Sequence, residues 1–495
     1  MNKEDFSIVF VYPNIYTQFS QHEGIQTLSA ILKNAGYKNI HLVHIHPKYG
    51  IPVDEDRIIK EIEGYNPNLI AFTSTTFEYK FCNKLVGRLK AIFPETLIIL
   101  GGIHATIKHG DQESSNFDAF CIGEGDIQTL DLVEKLTKDE DWRNTKGFWF
   151  KQSKDILKNE LQPFVTDLNT LPMQDWDLID VDKLLEARDG WLSLIFSRGC
   201  PYSCTFCINN TLRQIKGHKN YCRMVSVDTA IGELKYLAER FRGKIKVFNL
   251  DDDQLTSHRK WITDFSKKYK REIYDKYGID WKIESRVDSI DEEMVRAMKE
   301  SGLREMQFGV ETANQQLRDT LKKHTTNEQI RNAFKICRDV GIKTMSFIII
   351  GIPNETEDTI KETMDLLIEI KTDLIRPSFL LPIYGTEIYN DLTERKMLKI
   401  KNINDIVYGR PIVRLEHITE KVLSNYVILF PWHMNARMGL KDYEIALEKF
   451  KNFDYEDLKG AFPKILKMDE ELDKKTKPTH YRYFLKNLYY VERVG

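Results

Sequence analysis

The alternation of short apolar runs with amphipathic helical stretches most restricts the fold of this 495-residue chain. Between residue 6 and about residue 137, runs rich in β-branched and aromatic residues, such as "SIVFVYP" and "TLIILGG", alternate with helical stretches such as "IQTLSAILKNAG". Continuous apolar strands separated by helices are typical of a parallel sheet covered on both faces. The pattern predicts an α/β fold that opens with a Rossmann-like, doubly wound parallel sheet.

A second series of strands and helices begins near residue 191. Its strand candidates alternate with long, charged amphipathic helices. This arrangement predicts a partial (β/α)6 barrel of the TIM type, in which functional groups lie at the carboxyl ends of the strands. The strand candidates are residues 192–198, 246–253, 280–286, 305–311, 344–351 and 375–382.

Two further segments complete the predicted organisation. Residues 141–190 contain Pro and Asp and show little periodicity, so we expect a connector. The last hundred residues are rich in Lys, Tyr and Phe and have a mostly helical pattern. We therefore divide the chain into a Rossmann-like domain (1–140), a connector (141–190), a barrel (191–394) and a helical region that caps the barrel (395–495).

Charge and hydropathy exclude several classes of protein. The 72 Lys and Arg residues nearly balance the 74 Asp and Glu residues, so no strong positive field attracts nucleic acid, and we expect no nucleic-acid partner. The most apolar stretch, "FIIIGIP", is much shorter than the roughly 18 residues that span a bilayer. The N-terminus lacks the pattern of a signal peptide. We expect a cytoplasmic protein without a transmembrane segment.

Three of the seven cysteines, Cys200, Cys204 and Cys207, lie within eight residues directly after a predicted strand. One short loop with this spacing can wrap a corner of an iron–sulfur cubane, each thiolate binding a different iron and the fourth iron staying open. The alternative is a zinc site, with Cys222 or His218 as fourth ligand. The cysteines without ligand spacing are predicted to be buried small hydrophobic residues: Cys82, Cys121, Cys222 and Cys337.

The stretch "CPYSCTFC", with an aromatic residue just before its last cysteine, resembles the signature of radical S-adenosylmethionine (SAM) enzymes. "NLDDDQLT", "ESRVDSID", "FIIIGIPNET" and "LPIYGTEIY" follow in the order in which that family carries its strand-end motifs. The resemblance implies that the three cysteines hold a 4Fe-4S cluster, and that the cluster cleaves SAM to a 5′-deoxyadenosyl radical that abstracts hydrogen from an unactivated carbon. The alternative for the charged strand-end residues is pairing between strands. The implied SAM-binding residues are Phe206, Asp252, Asp253, Arg286, Glu311 and Gly351.

The first domain resembles the cobalamin-binding domain that precedes the radical core in one large subgroup. The motifs that carry this likeness are "HEG" (22–24), "TST" (73–75), "GGIHAT" (101–106) and "GEGD" (123–126). Each taken singly is also typical of an ordinary turn or helix start. The implied cobalamin-binding residues are Gly24, Thr73, Ser74, Thr75, Gly101, Gly102, His104, Gly123, Glu124 and Gly125.

The D-x-H-x-x-G loop of other cobalamin proteins, whose histidine binds cobalt, is absent from this sequence. The corresponding loop is "NIYTQFSQHEGI", in which His22 is a candidate cobalt ligand by position alone. The lower axial ligand of cobalt therefore stays open, and the resemblance implies an unligated or water-ligated cobalt.

The resemblance implies a methyltransferase similar to the class B radical SAM enzymes, in which methylcobalamin delivers the methyl group. Two alternatives stay open: a radical enzyme that cyclises, rearranges or couples carbons without net methylation, and a non-enzymatic metal-binding or cobalamin-binding regulator.

The implied partners are a small-molecule, lipid or natural-product substrate and an electron donor such as flavodoxin or ferredoxin. Trp432, His433 and Arg437 in "PWHMNARMG" are candidate substrate contacts, the alternative being helix packing. The sequence identifies neither the substrate nor the oligomeric state.

Overall fold

The computed structural model describes residues 1–152, 155–216, 221–400, 410–483 and 490–494. The chain divides into two compact units. Unit 1 contains Met1–Pro201 and Thr211–Asn249, and unit 2 contains Tyr202–Asn210 and the described residues from Leu250 onward. Across the described ranges, every helix is too short or too polar to cross a membrane.

A mixed sheet flanked by helices forms the first part of unit 1. Its strands are β1 (Ile8–Pro13), β2 (Ile40–Ile45), β3 (Leu69–Thr73), β4 (Leu97–Gly101), β5 (Ala119–Cys121), β6 (Phe148–Gln152) and β7 (Asp155–Lys158). The helices between them are α1 (Glu23–Asn34), α2 (Glu55–Gly64), α3 (Thr76–Ile92), α4 (Gly102–Ile107) and α5 (Asp126–Lys138). The strand order is β2-β1-β3-β4-β5-β6-β7, and β1 to β5 are parallel. This order confirms the predicted doubly wound sheet.

Both faces of this sheet are buried. On β1, Val9 and Val11 belong to one hydrophobic cluster, whereas Ile8 and Phe10 belong to another. Successive side chains of a strand point to opposite faces, so the two clusters lie on the two sides of the sheet. Burial on both faces explains why the strands are continuous apolar runs rather than alternating ones.

Two antiparallel strands, β6 and β7, extend the sheet into the segment that the sequence predicts to be a connector. Phe120 of β5 lies opposite Trp149 of β6, and Phe148 and Phe150 are buried. The short aromatic run "FWF" gives little periodicity by itself. Its strand character comes from pairing with β5, which is distant in sequence.

The rest of unit 1 begins the second series of strands. The elements from residue 181 to residue 250 are α6 (Val181–Ala187), β8 (Trp191–Leu194), β9 (Ser197–Arg198), α7 (Ile208–Lys216), β10 (Arg223–Met224), α8 (Val227–Arg240) and β11 (Val247–Leu250). Strand β11 lies beside β8. Strands β9 and β10 form a short antiparallel pair that sets Arg198 opposite Arg223.

Unit 2 contains the remaining strands of the second series. Its elements from residue 259 to residue 379 are α9 (Arg259–Tyr269), α10 (Asp275–Tyr277), β12 (Asp280–Ser285), α11 (Glu292–Glu300), β13 (Leu303–Glu311), α12 (Gln315–Thr320), α13 (Asn327–Val340), β14 (Lys343–Ile350), α14 (Glu357–Ile370) and β15 (Leu374–Phe379). Strands β12, β13, β14 and β15 are parallel neighbours in that order. Each strand candidate of the second series is confirmed as a strand in the described part of the chain.

The C-terminal region is mostly helical, as predicted, and it also contributes strands. Its elements are α15 (Glu387–Glu394), α16 (Glu420–Ile428), α17 (Phe430–Arg437), α18 (Lys441–Glu448), α19 (Tyr455–Lys475), β16 (His480–Tyr483) and β17 (Val491–Val494). Strand β17 pairs antiparallel with β15, and β16 pairs antiparallel with β17. The predicted boundaries of the four segments stay predictions.

Candidate functional site

The carboxyl ends of β1, β3, β4 and β5 lie at one edge of the sheet in unit 1, because these strands are parallel. Strands β2 and β3 lie on opposite sides of β1, which makes the β1–β3 boundary the switch point where sheets of this type bind ligands. Each implied cobalamin-binding residue either ends one of these four strands, as Thr73 and Gly101 do, or follows it. The sheet therefore brings the four motifs to a single edge.

The backbone at this edge is closely packed around Gly102, whose φ is +85°. A Cβ atom on Gly102 would lie 2.6 Å from Oγ1 of Thr73 and 3.1 Å from the backbone N and O of Ser74. The amide of His104 donates to the Ser74 carbonyl over 3.1 Å, and the Ser74 amide donates to the Gly101 carbonyl over 3.3 Å. Only glycine fits at position 102, and it lets the loops after β3 and β4 meet.

Two histidines at this edge, His22 and His104, have protein partners. His22 caps α1 by accepting from the Ile25 amide with Nδ1, and its Nε2 lies 3.2 Å from Oγ1 of Thr73. His104 is buried, stacks on Tyr79 with ring centroids 3.9 Å apart, and bonds to Thr76. Burial lowers the pKa of each histidine to about 4, so both rings are neutral at pH 7.

Glu124, in the loop after β5, is joined to two arginines. Its carboxylate accepts from Arg223 over 2.6 and 2.9 Å and from Arg198 over 3.2 Å. Arg198 also donates to both oxygens of Asp126, the first residue of α5, over 2.5 and 3.1 Å. Burial lowers the pKa of Arg198, but hydrogen bonds and charges from Asp126 and Glu124 outweigh burial and raise it. The carboxylate of Glu124 thus binds cations of the protein itself.

The cysteine loop starts at a tight turn in unit 1. Gly199 has a φ of +86°, and a Cβ atom there would lie 2.6 Å from the Tyr221 carbonyl oxygen. Cys200 and Cys207 are half-buried, Cys204 is buried, and none of the three is in a disulfide bond. Among the described residues, no three His, Cys, Asp or Glu side chains are already gathered as metal ligands. The assignment of these thiols to iron stays a prediction from the sequence.

Two buried cations of unit 2, Arg286 and Lys323, interact electrostatically with Cys204. Burial lowers the pKa of Lys323, but the charges of Glu311 and Cys204 raise it overall. Arg286 donates to both oxygens of Asp288 over 2.8 and 2.9 Å, and its guanidinium lies 3.8 Å from the ring centroid of Tyr202. Positive charge next to a thiol-bearing loop fits a ligand set that becomes anionic when it binds iron.

Lys323 in turn pairs with Glu311, the last residue of β13, over 2.9 Å. Glu311 has a φ of +61°, and the pairing of β13 with β14 shifts register between Gly309 and Glu311. A Cβ atom on Gly309 would lie 2.3 Å from Oε1 of Glu311 and 2.5 Å from Nζ of Lys323. Gly309 therefore makes the room in which this buried ion pair forms.

The acidic stretch after β11 lies beside α7. Asp253 accepts from Nδ2 of Asn209 over 2.8 Å, and Asp252 is fully buried. Burial raises the pKa of Cys207, Asn209 lowers it, and the charges of Asp253 and Cys204 raise it further. Asp253 thus holds the helix that follows the last cysteine of the loop.

The turn after β14 depends on a buried carboxyl group. Gly351 has a φ of +98°, and its amide donates to the carboxyl group of Glu355. Glu355 is 1% exposed, and burial raises its pKa to about 8.

Phe206 is half-buried in the cysteine loop, where the Thr205 amide donates to the Leu321 carbonyl over 3.0 Å.

Each of the two series of strands matches a known protein family. Residues 194–367 match the Radical SAM superfamily, and residues 20–133 match the B12 binding domain. The first match contains the three clustered cysteines, and the second contains the strand-end motifs of unit 1. This chain is a cobalamin-dependent radical SAM enzyme. Its cofactors are a 4Fe-4S cluster, SAM and cobalamin.

Curated relatives of this radical SAM enzyme include an uncharacterized methyltransferase of Pyrococcus horikoshii. It is 26% identical over 391 residues, which cover 78% of this chain and 83% of the relative. Another is the anaerobic magnesium-protoporphyrin IX monomethyl ester cyclase of Cereibacter sphaeroides, 26% identical over 440 residues that cover 85% of this chain and 69% of the relative.

Solved structures with low sequence identity share the fold. The radical SAM methyltransferase TsrM of Kitasatospora setae, with cobalamin and a 4Fe-4S cluster bound, has a TM-score of 0.63 at 16% identity and covers 78% of each chain. The cobalamin-dependent SAM radical enzyme OxsB, with aqua-cobalamin and SAM bound, has a TM-score of 0.67 at 17% identity. That match covers 94% of this chain and 75% of OxsB.

Sequence reasoning missed the residues that support this radical SAM site. Lys323 and Tyr202 contact Glu311 and Arg286 through the fold, so no local pattern marks them. Gly309 carried a usable signal, because a glycine inside a strand often marks a bulge or a close approach. For the zinc alternative, His218 lies outside the described residues. The prediction that Cys222 is buried is wrong, because Cys222 lies in the bend before β10 and is half-buried. Burial is confirmed for the three other isolated cysteines, Cys82, Cys121 and Cys337.

The three C-terminal residues that the sequence suggests as substrate contacts have partners within unit 2. Trp432 is fully buried and donates to Asp469 over 2.8 Å. His433 bonds to Asn425 over 2.9 Å, and burial lowers its pKa to about 3. Arg437 pairs with Asp365. These contacts support the alternative reading, in which α17 packs within the fold.

Proposed function

We propose that this enzyme transfers a methyl group to an unactivated carbon of a small-molecule substrate. The observation that carries the proposal is the presence of a B12 binding domain and a Radical SAM domain on one chain. The names of relatives add support. They include the P. horikoshii methyltransferase and the cytidylyl-2-hydroxyethylphosphonate methyltransferase of Streptomyces wedmorensis, 24% identical over 343 residues.

Cys200, Cys204 and Cys207 would hold three irons of the cluster, and the cluster with SAM supplies the radical that removes a hydrogen atom from the substrate. Arg286 and Lys323 compensate negative charge at Cys204. Phe206 would pack against the adenine of SAM. The polar groups of SAM would meet the strand-end residues Asp252, Asp253, Arg286, Glu311 and Gly351.

At the sheet edge of unit 1, the loops after β1, β3, β4 and β5 would hold cobalamin, which supplies the methyl group. Ser74 and Thr75 now donate to the Thr75 carbonyl and the Glu78 carboxylate, and their hydroxyl groups would turn from these acceptors to its nucleotide tail. Gly101 and Gly102 let the backbone approach it. His22 is already bonded through both ring nitrogens, which favours a cobalt without a histidine ligand. Glu124 would hold the loop after β5 in place through its ion pairs with Arg198 and Arg223.

The remaining partners follow from this chemistry. Reduction of the cluster needs an electron donor such as flavodoxin or ferredoxin, and we place the enzyme in the cytoplasm, where both occur. The substrate is a small molecule, a lipid or another natural product. Ring formation is the competing reaction, because relatives such as the C. sphaeroides protein carry the name of a cyclase.

Anaerobic reconstitution tests the proposal. Protein loaded with iron, sulfide and hydroxocobalamin should form 5′-deoxyadenosine from SAM after reduction, and a metabolite extract should gain a product heavier by one CH2 group. A product without that gain would exclude methylation and favour the cyclase reaction. Zinc in place of iron and sulfide would refute the radical mechanism.

Cys222 provides the matched control. Cys204→Ala should lose both the cluster and 5′-deoxyadenosine formation. Cys222→Ala should retain both, because Cys222 lies outside the three-cysteine motif. Equal loss of metal in the two variants would support the four-ligand zinc site instead.

A further inference from the structure

A network of ion pairs in unit 1 links the loop after β5 to the strand that leads into the cysteine loop. Its members, which we call the Glu124 network, are Glu124, Asp126, Arg198 and Arg223. Glu124 and Asp126 lie at the edge of the sheet where the B12 binding domain carries its strand-end motifs. Arg198 is the last residue of β9, two positions before Cys200. The network thus joins the sheet edge to the start of the cysteine loop, Gly199 and Cys200, within unit 1.

The Glu124 network is held in one geometry. The side chains of Arg223 and Asp126 are only 4% and 5% exposed. Arg223 also donates to the Val165 carbonyl over 2.9 Å, and its guanidinium lies 4.4 Å from the ring centroid of Phe164. Paired hydrogen bonds between arginine and carboxylate fix orientation as well as distance. A shift of Glu124 must therefore move Arg198 or break several of these contacts.

Both ends of the network are closely packed. A Cβ atom on Gly125 would lie 3.2 Å from Leu28 and from Thr129, so the loop after β5 packs closely against α1 and α5. At the other end, β9 pairs with β10, and the next residue after Arg198 is Gly199 in its tight turn. A displacement of Arg198 then changes the position of Cys200.

We propose that Glu124 is a positioning residue that couples cobalamin binding at the sheet edge to SAM binding at the cysteine loop. The coupling rests on the proposed function for the location of the two cofactors. Because coupling between two binding sites is reciprocal, each cofactor changes the affinity of the other by the same factor. The carboxylate acts through Arg198 and Arg223 rather than by touching either reacting centre.

The test measures affinities in the cluster-loaded, full-length protein without a reductant, so that no turnover occurs. Equilibrium dialysis gives the Kd of hydroxocobalamin with and without saturating SAM, and the Kd of SAM with and without hydroxocobalamin. In the parent protein, the two ratios should agree and should be on the order of 10-fold. Glu124→Gln, which keeps the shape but removes the charge, should bring both ratios toward one.

Two further variants separate coupling from general damage. Arg198→Lys keeps the charge but loses the paired geometry, and it should also reduce the ratios, which keeps the test valid if Glu124→Gln fails to fold. Glu140→Gln makes the same chemical change at an exposed carboxylate of unit 1 and should retain the parent ratios. Parent ratios of one, or unchanged ratios in both network variants, overturn the coupling while the proposed function stands. A parent protein that takes up neither cluster nor cobalamin refutes the proposed function, and the coupling with it.

Discussion

Replacement of Gly102 by alanine tests whether the sheet edge of unit 1 has the closely packed backbone that cobalamin binding needs. The left-handed φ of +85° costs a non-glycine residue about 1–3 kcal/mol. The new Cβ atom also meets Thr73 at 2.6 Å and the Ser74 backbone at 3.1 Å. Overpacking of this kind costs typically about 1–3 kcal/mol, and the Ser74 backbone cannot swing aside as a side chain could. We expect a total loss of about 2–6 kcal/mol in the free energy of unfolding.

Differential scanning calorimetry of the apo-protein measures this loss. For a unit of this size, the melting temperature should fall by roughly 4 to 24 °C. Hydroxocobalamin, titrated by absorbance below that temperature, should bind more weakly because the loops after β3 and β4 are forced apart. Gly64→Ala is the control, since a Cβ atom there has no neighbour within 4 Å and the residue lies at the end of α2. If Gly102→Ala melts and binds like the parent, the argument from close approach is wrong.

Two further predictions concern buried titratable groups of unit 2. Between pH 4.5 and about 8 the folded chain keeps a proton on Glu355 that the unfolded chain has lost, so the free energy of unfolding falls as pH rises. Glu355→Gln should therefore flatten the dependence of melting temperature on pH, and an unchanged slope would contradict the raised pKa. Lys323→Met leaves Glu311 buried without its cation and should cost about 3–5 kcal/mol in denaturant unfolding. The neighbouring Lys322→Met, which loses an exposed pair with Glu387, should cost about 1 kcal/mol or less, and equal losses would refute the argument.

The strands of both series could be predicted because their signal is local. A continuous apolar run flanked by helices identifies a buried parallel strand wherever its neighbours lie. Strands β6, β7, β16 and β17 lack that signal. They are short and antiparallel, and pairing with existing strands gives them their structure. The sequence therefore predicts the parallel core but misses the strands added at the edges of the sheets.

The candidate site divides in the same way. The motifs locate the strand ends and their loops, since glycines and clustered cysteines are visible in a single sequence. They do not show what each side chain contacts. Glu124 meets arginines 74 and 99 positions away, and the partner of Glu311 is Lys323, beyond the end of its strand. Partners of this kind depend on tertiary structure, which a local sequence pattern does not reveal.

The antiparallel strand β17 protects the open edge of β15. It covers Leu374 and Ile375, and the amide of Arg493 donates to the Asp373 carbonyl over 2.8 Å. Without this cover, β15 would present open peptide groups on which another molecule could form a strand. The outer strand β16 is only four residues long and includes Arg482, so it offers a poor template for such growth. Strands β16 and β17 thus protect this edge of the sheet against aggregation, a role separate from catalysis.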